Sequence, residues 1–340
     1  MPSYALWKMT PHYTQNLWGG VLLREAMGKD IPDDHTGESW EVSAHPHGQS
    51  RVASGPLAGL TLEAAIAADP AAFYGAHPQA AFPLLIKLLG PAQTLSVQVH
   101  PSDAQAGPGE QGKSEAWVVL SAPPGARLIA GVCGGPEELS AAIARQDVAS
   151  CLRQLPVRAG DVLPIPPGLV HALTQDIVVY EIQQNSDTTF RLYDWDRVDA
   201  MTGQPRQLHQ ARAAEVIDYG HETSLAQGLR LEEDGLVREV LIAHDLFALE
   251  RLTVCGPAED DLREGFAAYT VVEGELQLGE ETLHKGDSLV APAAAGQVPL
   301  RGRGVILKGS APGRTAMEVW LTGRGVPQAA WTRISGLVAP

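Results

Sequence analysis

Three short segments of the chain carry side chains that could bind a metal. They are Gln98-Val-His100, Lys113-Ser-Glu115 and Pro166-Pro-Gly168-Leu-Val-His171. Residues two apart point to the same face of a β-strand, so Gln98 and His100 are expected to lie on one face. Two imidazoles, a carboxylate and an amide oxygen suit a borderline cation such as zinc. The segments therefore predict a metal site lined by strands.

The elements that must position these side chains are predicted to be short β-strands. Gly and Pro, 35 and 25 residues of the chain, bound most of the apolar runs, a pattern typical of a sandwich or barrel with tight turns. Examples of such runs are residues 116–120, 176–182 and 268–272. Two segments are predicted to be helical instead: residues 62–68, within a helical stretch near 60–75 that Thr61 caps, and residues 137–155.

One sequence pattern occurs twice. Residues 160–171 (GDVLPIPPGLVH) and 286–297 (GDSLVAPAAAGQ) share Gly-Asp, a later proline and three apolar positions. The repeat predicts two related β-rich domains, residues 1–215 and 234–340, with a boundary within 211–233. Gln297 replaces His171 in the second copy, which predicts a metal-free second domain, because one amide cannot hold zinc.

The net charge of −15 restricts the possible ligands. It opposes binding to nucleic acid and to anionic membranes, and no apolar stretch is long enough to span a bilayer. An anionic substrate would need a local group of cations near the metal segments. The candidates are Lys87, Lys113, Arg191 and Arg197.

The cysteines indicate a compartment. Cys133, Cys151 and Cys255 are scattered and form no CxxC pair, and no basic segment followed by an apolar run opens the chain. These features predict a reduced, cytoplasmic protein. The oligomeric state, monomer or homodimer, does not follow from these features.

Several motifs in a fixed order carry a family resemblance. Residues 160–171 match Gly-x5-Pro-x-Gly-x2-His, the second signature of the cupin barrels. With the other motifs, the chain resembles the class I mannose-6-phosphate isomerases of the short bacterial kind. The matching segments are Asn16-Leu-Trp18, Glu38-Ser-Trp40-Glu41, Phe82-Pro-Leu-Leu-Ile-Lys87, Leu95-Ser96-Val-Gln98-Val-His100, Gly112-Lys113-Ser-Glu115-Ala-Trp117 and Ser186-Asp187-Thr-Thr-Phe-Arg191. The resemblance implies a mainly β fold with two cupin-like jelly-roll barrels and a small helical insertion.

The resemblance also implies a cofactor and a reaction. Zinc would be bound by the residues corresponding to Gln98, His100, Glu115 and His171. The family reaction interconverts mannose 6-phosphate and fructose 6-phosphate, so the expected partner is a phosphorylated hexose. This reaction moves a proton between C1 and C2 through an enediol, and a Lewis acid facing both oxygens lowers its barrier.

Roles for the remaining polar residues follow from the resemblance and from side-chain chemistry. Asp187 and Arg191 are expected at the active site, with Arg191 stabilising the enediolate, because arginine rarely gives up a proton. The proton carrier stays open among Lys113, Asp187 and Glu181. The residues expected to bind substrate are Lys87, Arg197, Ser96, Trp18 and Glu41, with Arg197 as a phosphate clamp.

Several of these residues also have plainer interpretations. Lys87 lies inside an apolar run and could extend its ammonium to solvent. Arg197 could balance the acidic residues beside it. His45 and His47 are interpreted as loop residues rather than ligands. The tryptophans of the motifs, Trp18, Trp40 and Trp117, are interpreted as packing residues.

Two other functions compete with the isomerase. His100, Glu115 and His171 also form the two-histidine, one-carboxylate set of iron dioxygenases. A non-catalytic sugar-phosphate sensor is the third possibility. The Gln98 ligand and the group of Lys and Arg residues favour the isomerase over both.

Overall fold

A computed structural model describes residues 6–199, 203–221 and 223–337, and antiparallel β-strands are its main element. The strands before residue 200 are β1 (Trp7–Thr10), β2 (His12–Gln15), β3 (Thr36–His45), β4 (Gly48–Gln49), β5 (Arg51–Val52), β6 (Leu84–Leu89), β7 (Val97–Val99), β8 (Glu115–Ser121), β9 (Arg127–Val132), β10 (Leu152–Pro156), β11 (Val162–Ile165), β12 (His171–Ala172), β13 (Val178–Gln184) and β14 (Phe190–Tyr193).

The strands after residue 220 are β15 (Leu229–Glu233), β16 (Leu236–Ala243), β17 (Ala248–Val254), β18 (Ala258–Asp261), β19 (Ala267–Leu278), β20 (Glu281–His284), β21 (Ser288–Ala291) and β22 (Gln297–Ser310). The helices are α1 (Leu22–Met27), α2 (Leu62–Ala68), α3 (Pro70–Tyr74), α4 (Pro136–Ala144), α5 (Gln210–Val216) and α6 (Arg314–Gly323). The mainly β fold class is therefore confirmed. None of these helices has the length and apolar character that a membrane crossing requires.

The strands form three sheets in three layers. A seven-stranded sheet has the order β11-β8-β13-β6-β3-β2, with β4 on β3, and a five-stranded sheet has the order β10-β9-β12-β7-β14. The ten-stranded sheet has the order β15-β16-β17-β22-β19-β21-β1-β5, with β18 on β22 and β20 on β19.

The seven-stranded sheet is the middle layer. On one face, Trp117 and Val179 pack in a core with Leu128 of the five-stranded sheet. On the other face, Val118 packs in a core with Leu307 of the ten-stranded sheet. Because both faces are covered, strands such as β8 are apolar nearly throughout rather than alternating. The side chains that reach the metal segments share their face with Trp117.

The repeated pattern has the same backbone in both copies. The N–H of Gly160 donates to the carbonyl of Val119 at 2.8 Å, and the N–H of Gly286 donates to that of Val271 at 2.8 Å. Both glycines have a positive φ, 94° and 90°, which a side chain would disfavour. In both copies Gly-Asp therefore makes the turn into a strand, β11 in the first and β21 in the second.

The two predicted helical segments differ in outcome. α2 begins and ends as predicted, and Thr61 caps it by accepting a hydrogen bond from the N–H of Ala64 at 3.2 Å. The prediction over 137–155 is wrong beyond α4. Gln146 has a φ of 57°, a left-handed conformation that ends a helix, and after a short 3₁₀ turn the chain continues as β10.

The predicted division at 211–233 remains a prediction. Helix α5 lies partly within this range. One pairing crosses the division, because the N-terminal strand β1 joins the ten-stranded sheet beside β21, with Trp7 opposite Val290.

Candidate active site

Four predicted metal ligands meet between the two smaller sheets. His171 begins β12 and lies opposite Gln98 of β7, and Glu115 begins β8, while His100 follows β7. The side chains of His100, Glu115 and His171 offer ligand atoms that all lie within 4.8 Å of one another. All three residues are buried. The structure thus brings together residues separated by up to 71 positions in the chain.

Both imidazoles present an unprotonated nitrogen to this cluster. The Nδ1 of His100 bonds to the carbonyl of Thr188 at 2.8 Å, and the Nδ1 of His171 bonds to that of Leu169 at 2.9 Å. A carbonyl can only accept, so each Nδ1 must carry the proton and each Nε2 keeps its lone pair. Burial, reinforced by the charge of Lys113, also lowers the pKa of His100 to about 3. His100 is therefore neutral at pH 7, as a metal ligand must be.

The contacts inside the cluster fit a cation. The Nε2 of His171 lies 3.1 Å from Oε1 of Glu115, and the Nε2 of His100 lies 3.6 Å from Oε2 of Glu115. The Nε2 of His100 makes no hydrogen bond among the described residues. Lone pairs that face a carboxylate in a buried space repel it unless a cation lies between them. The donor set of two nitrogens and a carboxylate suits zinc.

Gln98, the fourth predicted ligand, lies beside these three residues. Its amide lies 3.3 Å from the Nε2 of His171. A half-turn of the amide exchanges its nitrogen and oxygen without moving the chain. The oxygen would then complete a set of four ligands with His100, Glu115 and His171.

A polar cavity of about 300 Å³ opens beside this cluster. Gln98 is shared between the cavity wall and the cluster. The cavity is lined by Asn16, Trp18, Glu38, Trp40, Lys87, Leu89, Leu95, Ser96, Gln98, Lys113, Trp117, Glu181, Asp187, Thr189, Arg191 and Arg206. Eight of the predicted site residues are in this set: Trp18, Lys87, Ser96, Gln98, Lys113, Glu181, Asp187 and Arg191.

Lys113 connects the cavity to the cluster. Its Nζ lies 2.7 Å from Oε2 of Glu115. Burial disfavours charge on both groups, but their mutual attraction outweighs it, raising the pKa of Lys113 and holding that of Glu115 well below its usual range. Lys113 is therefore an ammonium that fixes one carboxylate oxygen and leaves Oε1 to a metal.

A second group of charges forms another wall. The Nζ of Lys87 lies 3.4 Å from Oε1 of Glu181 and 3.9 Å from Oε2 of Glu38. The indole N–H of Trp117 donates to Glu181 at 2.7 Å. Lys87 is 5% exposed, so its ammonium stays in the cavity and the interpretation that it extends to solvent is wrong. At these distances Lys87 makes no close hydrogen bond to either carboxylate, so its ammonium can still donate to a ligand in the cavity.

The third wall contains Arg191 and Asp187. The Nε of Arg191 donates to Oγ of Ser96 at 3.3 Å, and Nη1 donates to the carbonyl of Gln207 at 2.9 Å. Asp187 lies 2.5 Å from Nδ1 of His47. Burial opposes the charge of Asp187, but the hydrogen bond from His47 and the charge of His45 lower its pKa. Asp187 is thus held as a carboxylate at the cavity.

Two predicted substrate-binding residues lie elsewhere. Glu41 is buried on the opposite face of β3, 2.8 Å from the Nζ of Lys29 and in hydrogen-bond contact with Ser288 at 3.0 Å. Trp40 faces the cavity, so its chain neighbour faces the ten-stranded sheet. Glu38, two residues before Trp40, is the carboxylate that lines the cavity. Alternation along β3 was the signal that could have identified it.

Arg197 is the other displaced residue. Its Nη1 donates to the carbonyl of Thr94 at 2.7 Å, and its Nη2 donates to Oδ1 of Asp194 at 2.5 Å. Its pairing with an acidic neighbour matches the plainer interpretation of this residue. Arg206 lines the cavity instead, and no motif in the sequence marks it.

His45 and His47 form a second group with Asp187 in which three ligand atoms lie within 4.8 Å. The backbone N–H of His47 donates to Nδ1 of His45 at 3.2 Å. The proton of His45 is therefore on Nε2, the nitrogen that faces Asp187 at 3.7 Å. This arrangement favours hydrogen bonding to Asp187 over metal binding.

The three tryptophans of the motifs are buried and also line the cavity. Trp40 donates its indole N–H to Glu38 at 2.7 Å, and its ring lies 4.9 Å from the Nζ of Lys87. Trp117 holds Glu181 as described above. These rings therefore pack in the core and also orient the charged groups of the wall.

Comparisons with known proteins agree on one family. The family model described as the phosphomannose isomerase type I catalytic domain matches residues 6–116. A mannose-6-phosphate isomerase of Streptococcus mutans is 37% identical over 285 residues, 82% of this chain and 89% of the relative. The mannose-6-phosphate isomerase ManA of Bacillus subtilis is 36% identical over 300 residues, 86% of this chain and 94% of the relative. A crystal structure of the mannose 6-phosphate isomerase from Bacillus subtilis matches with a TM-score of 0.84 and 33% identity, covering 90% of this chain and 99% of that one.

Proposed function

Because the chain belongs to the type I phosphomannose isomerases, we propose that it is a zinc-dependent enzyme that interconverts mannose 6-phosphate and fructose 6-phosphate through an enediol. The buried cluster of His100, Glu115 and His171 beside a polar cavity carries this proposal. Acceptor atoms that face one another without a proton need a cation, and the cavity beside them holds the cations that an anionic sugar needs.

The residues that would hold zinc are His100, Glu115 and His171, with Gln98 as the fourth ligand. When bound, zinc would supply a Lewis acid that polarises the carbonyl and hydroxyl oxygens at C1 and C2 of the sugar. The carbonyls of Thr188 and Leu169 hold the two imidazoles in the tautomer that ligation needs.

Charge that develops on the sugar oxygens meets two fixed cations. Lys113 is held as an ammonium beside Glu115, and Arg191 is fixed by Ser96 and by the carbonyl of Gln207. Both donate hydrogen bonds to an enediolate without giving up a proton at neutral pH. Lys113 is thereby a poor base.

The proton between C1 and C2 is then left to a carboxylate, either Glu181 or Asp187. Glu181 is buried and oriented by Trp117, and Asp187 is oriented by His47. Exchange of the C2 proton of mannose 6-phosphate with deuterated water distinguishes them. The variant that loses this exchange while keeping zinc, Glu181→Gln or Asp187→Asn, identifies the carrier.

The proposal is tested by a coupled assay that follows fructose 6-phosphate formation, together with metal analysis of the purified protein. We expect one zinc per chain, loss of turnover with a chelator and recovery when zinc is returned. Iron in the protein with consumption of oxygen would identify a dioxygenase instead. Binding of mannose 6-phosphate by zinc-loaded protein without any product would identify a sensor.

The cytoplasm stays the proposed location. Its support is that Cys133, Cys151 and Cys255 are all free thiols, which suits a reducing compartment. Either a monomer or a homodimer is compatible with one cavity per chain. Sedimentation of the zinc-loaded protein measures which of the two forms.

A further inference from the structure

We propose that Arg206, clamped by Asp194, binds the phosphate of the substrate and selects phosphorylated hexoses over free ones. This inference rests on the proposed function, and it assigns the clamp to a residue that the sequence motifs do not contain. Its basis is an excess of guanidinium groups at one end of the cavity.

Three guanidinium groups lie near one carboxylate, Asp194, and only two of them contact it. Asp194 accepts two hydrogen bonds from Arg206, at 2.7 and 2.6 Å, and one from Arg197 at 2.5 Å. Arg191 donates only to neutral oxygens, those of Ser96 and Gln207, among the described residues. In a protein of net charge −15, such a local excess of positive charge indicates an anionic ligand.

The two arginines that line the cavity each keep a donor for a ligand. Arg206 uses Nε and Nη2 on Asp194, and Arg191 uses Nε and Nη1 on its neutral partners. Nη1 of Arg206 and Nη2 of Arg191 have no partner among the described residues. Arg206 can therefore donate to a phosphate while Asp194 holds it, and Arg191 keeps Nη2 for the enediolate. Burial, followed by the repulsion of Arg206, lowers the pKa of Arg191, in keeping with a local excess of positive charge.

This end lies apart from the metal cluster. Arg191 lies opposite Gln98, the residue that contacts His171. Tyr193 lies opposite Val97, so Asp194 and the Arg206 that it holds lie farther along the strands, away from Gln98. Each residue of an extended strand adds roughly 3.3 Å. A hexose phosphate placed with C1 and C2 toward Gln98 and Arg191 therefore extends its C6 end toward Arg206.

Hydrogen bonds hold the segment that follows Arg206 against β14. The N–H of His209 donates to the carbonyl of Arg191 at 2.7 Å, and the N–H of Arg191 donates to Nδ1 of His209 at 3.1 Å. Arg197 anchors Asp194 from behind through the carbonyl of Thr94. Arg197 is thus a positioning residue that acts on Arg206 through Asp194.

The test compares Arg206→Gln with Arg212→Gln. Arg212 is the matched control because it removes the same charge, pairs with Glu110 at 2.8 Å and does not line the cavity. We expect Arg206→Gln to lower kcat/KM for mannose 6-phosphate by about 10- to 100-fold, mainly through KM. Any turnover of unphosphorylated mannose, and the zinc content, should stay at the wild-type level. The Arg212 variant should match the wild type in every measurement.

Equal losses on mannose and mannose 6-phosphate, or no loss beyond that of Arg212→Gln, would overturn the inference. If the glutamine variant does not fold, Arg206→Lys replaces it, since lysine keeps a charge near Asp194 but not the bidentate geometry. We expect this variant to have a KM for mannose 6-phosphate between those of the wild type and Arg206→Gln. Binding of inorganic phosphate, measured by calorimetry, separates the two proposals. If the wild type isomerises nothing yet binds phosphate at least tenfold more tightly than Arg206→Gln, the proposed function fails and the anion site stands.

Discussion

The two halves of the chain carry buried charges at matching strand positions, but with opposite sign. In the first half, Lys87 of β6 lies opposite Glu181 of β13. In the second half, Glu250 of β17 lies opposite Lys308 of β22. The aromatic residue on the next strand also matches, because Glu181 faces Trp117 just as Lys308 faces Tyr269.

The inversion extends to a third strand. Glu38 of β3 lies opposite Leu89, and Arg238 of β16 lies opposite Leu252. Both strands then have a β-bulge two residues later. Corresponding positions on three strands therefore carry Glu, Lys and Glu in the first half and Arg, Glu and Lys in the second.

The metal positions have changed as well. Gln297 lies opposite Asp261, and its counterpart His171 lies opposite Gln98, two residues before His100. Asp261 therefore corresponds to Gln98. Arg263, two residues after Asp261, therefore takes the place of His100. Ala267 lies opposite Ala291. The strand register therefore puts Ala267 in the place that Glu115 has in the first half.

The charges of the second half are paired with one another. Arg238 lies 2.7 Å from Glu250 and 2.8 Å from Asp260. Lys308 lies 2.7 Å from Asp260, and Arg263 lies 2.6 Å from Glu250. All five side chains are nearly or fully buried. In the first half, Lys87 stays 3.4 Å or more from its carboxylates.

Helix α6 closes the second cluster. Trp320 lies 3.9 Å from the guanidinium carbon of Arg263 and 5.6 Å from that of Arg238. The first cluster instead opens into a cavity of about 300 Å³. The charges of the second cluster thus neutralise one another. Those of the first cluster face a cavity that could take a cation and an anion. We infer that the first half is built for ligands and the second for stability.

The largest expected effect comes from substituting the metal-ligand position of the first repeat copy and not its counterpart in the second. His171→Ala removes a buried ligand, so zinc should be lost and kcat should fall by at least about 10³-fold. Gln297→Ala at the matching position should leave zinc content and kcat unchanged. Metal analysis and the coupled assay measure both. Full activity in the His171 variant would remove the metal cluster from the reaction.

Substitution in the second cluster should affect stability instead. Glu250→Gln removes the charge that Arg238 and Arg263 share. Arg238 keeps Asp260, but the buried guanidinium of Arg263 loses the one carboxylate that it contacts among the described residues, which costs about 3–5 kcal/mol. Urea unfolding of the zinc-loaded protein measures this loss. The protein that remains folded at low denaturant should keep its zinc and its kcat. A variant of wild-type stability would mean that the second cluster is not the stabilising one.

The matching position of the first half should respond in the opposite way. Lys87→Met removes a cation from the cavity, and kcat/KM for mannose 6-phosphate should fall by about 100-fold. Its carboxylate partners line the cavity, where water can reach them, so the loss of unfolding free energy should be smaller than that expected for Glu250→Gln, about 3–5 kcal/mol. A loss of several kcal/mol without a kinetic effect would reverse the comparison.

Much of this arrangement is predictable from local sequence, and the failures have physical causes. The spacing of two predicts that Gln98 and His100 share a strand face, whereas Glu115 and His171 enter the expected ligand set through their residue types and the family motifs. Glu41 is expected to bind substrate, but Glu38 of the same motif lines the cavity, and only the face of β3 distinguishes the two. Arg206 is marked by no motif, because its contact with Asp194 joins segments that no local pattern connects.

Features that depend on contacts between distant segments are harder to predict from the sequence. The apolar spacing of Leu152 and Leu155 fits a helix, but these residues pair with β9 as a strand, which only tertiary contacts decide. The charge inversion between Lys87 and Glu250 is likewise invisible in the sequence. It appears once strand register shows which positions correspond.

The smallest expected effect is the pH dependence that the second half adds to stability. Burial lowers the pKa of His244 to about 4, and its Nδ1 accepts the N–H of Leu246 at 3.2 Å. An unfolded histidine has a pKa of about 6.5, so between pH 6.5 and 4 the unfolded chain binds a proton that the folded chain refuses. Stability should therefore fall as pH drops through this window, by about 2 kcal/mol at pH 5.

His244→Asn isolates this contribution, because the amide oxygen can accept the same N–H without titrating. The difference in unfolding free energy between wild type and variant should shift by about 2 kcal/mol in favour of the variant between pH 7.5 and pH 5. Urea unfolding at the two pH values, with zinc present, measures it. A difference that does not change with pH would mean that His244 is protonated in the folded state. The acid sensitivity would then belong to the carboxylates of the buried clusters, which lose their charge only at lower pH.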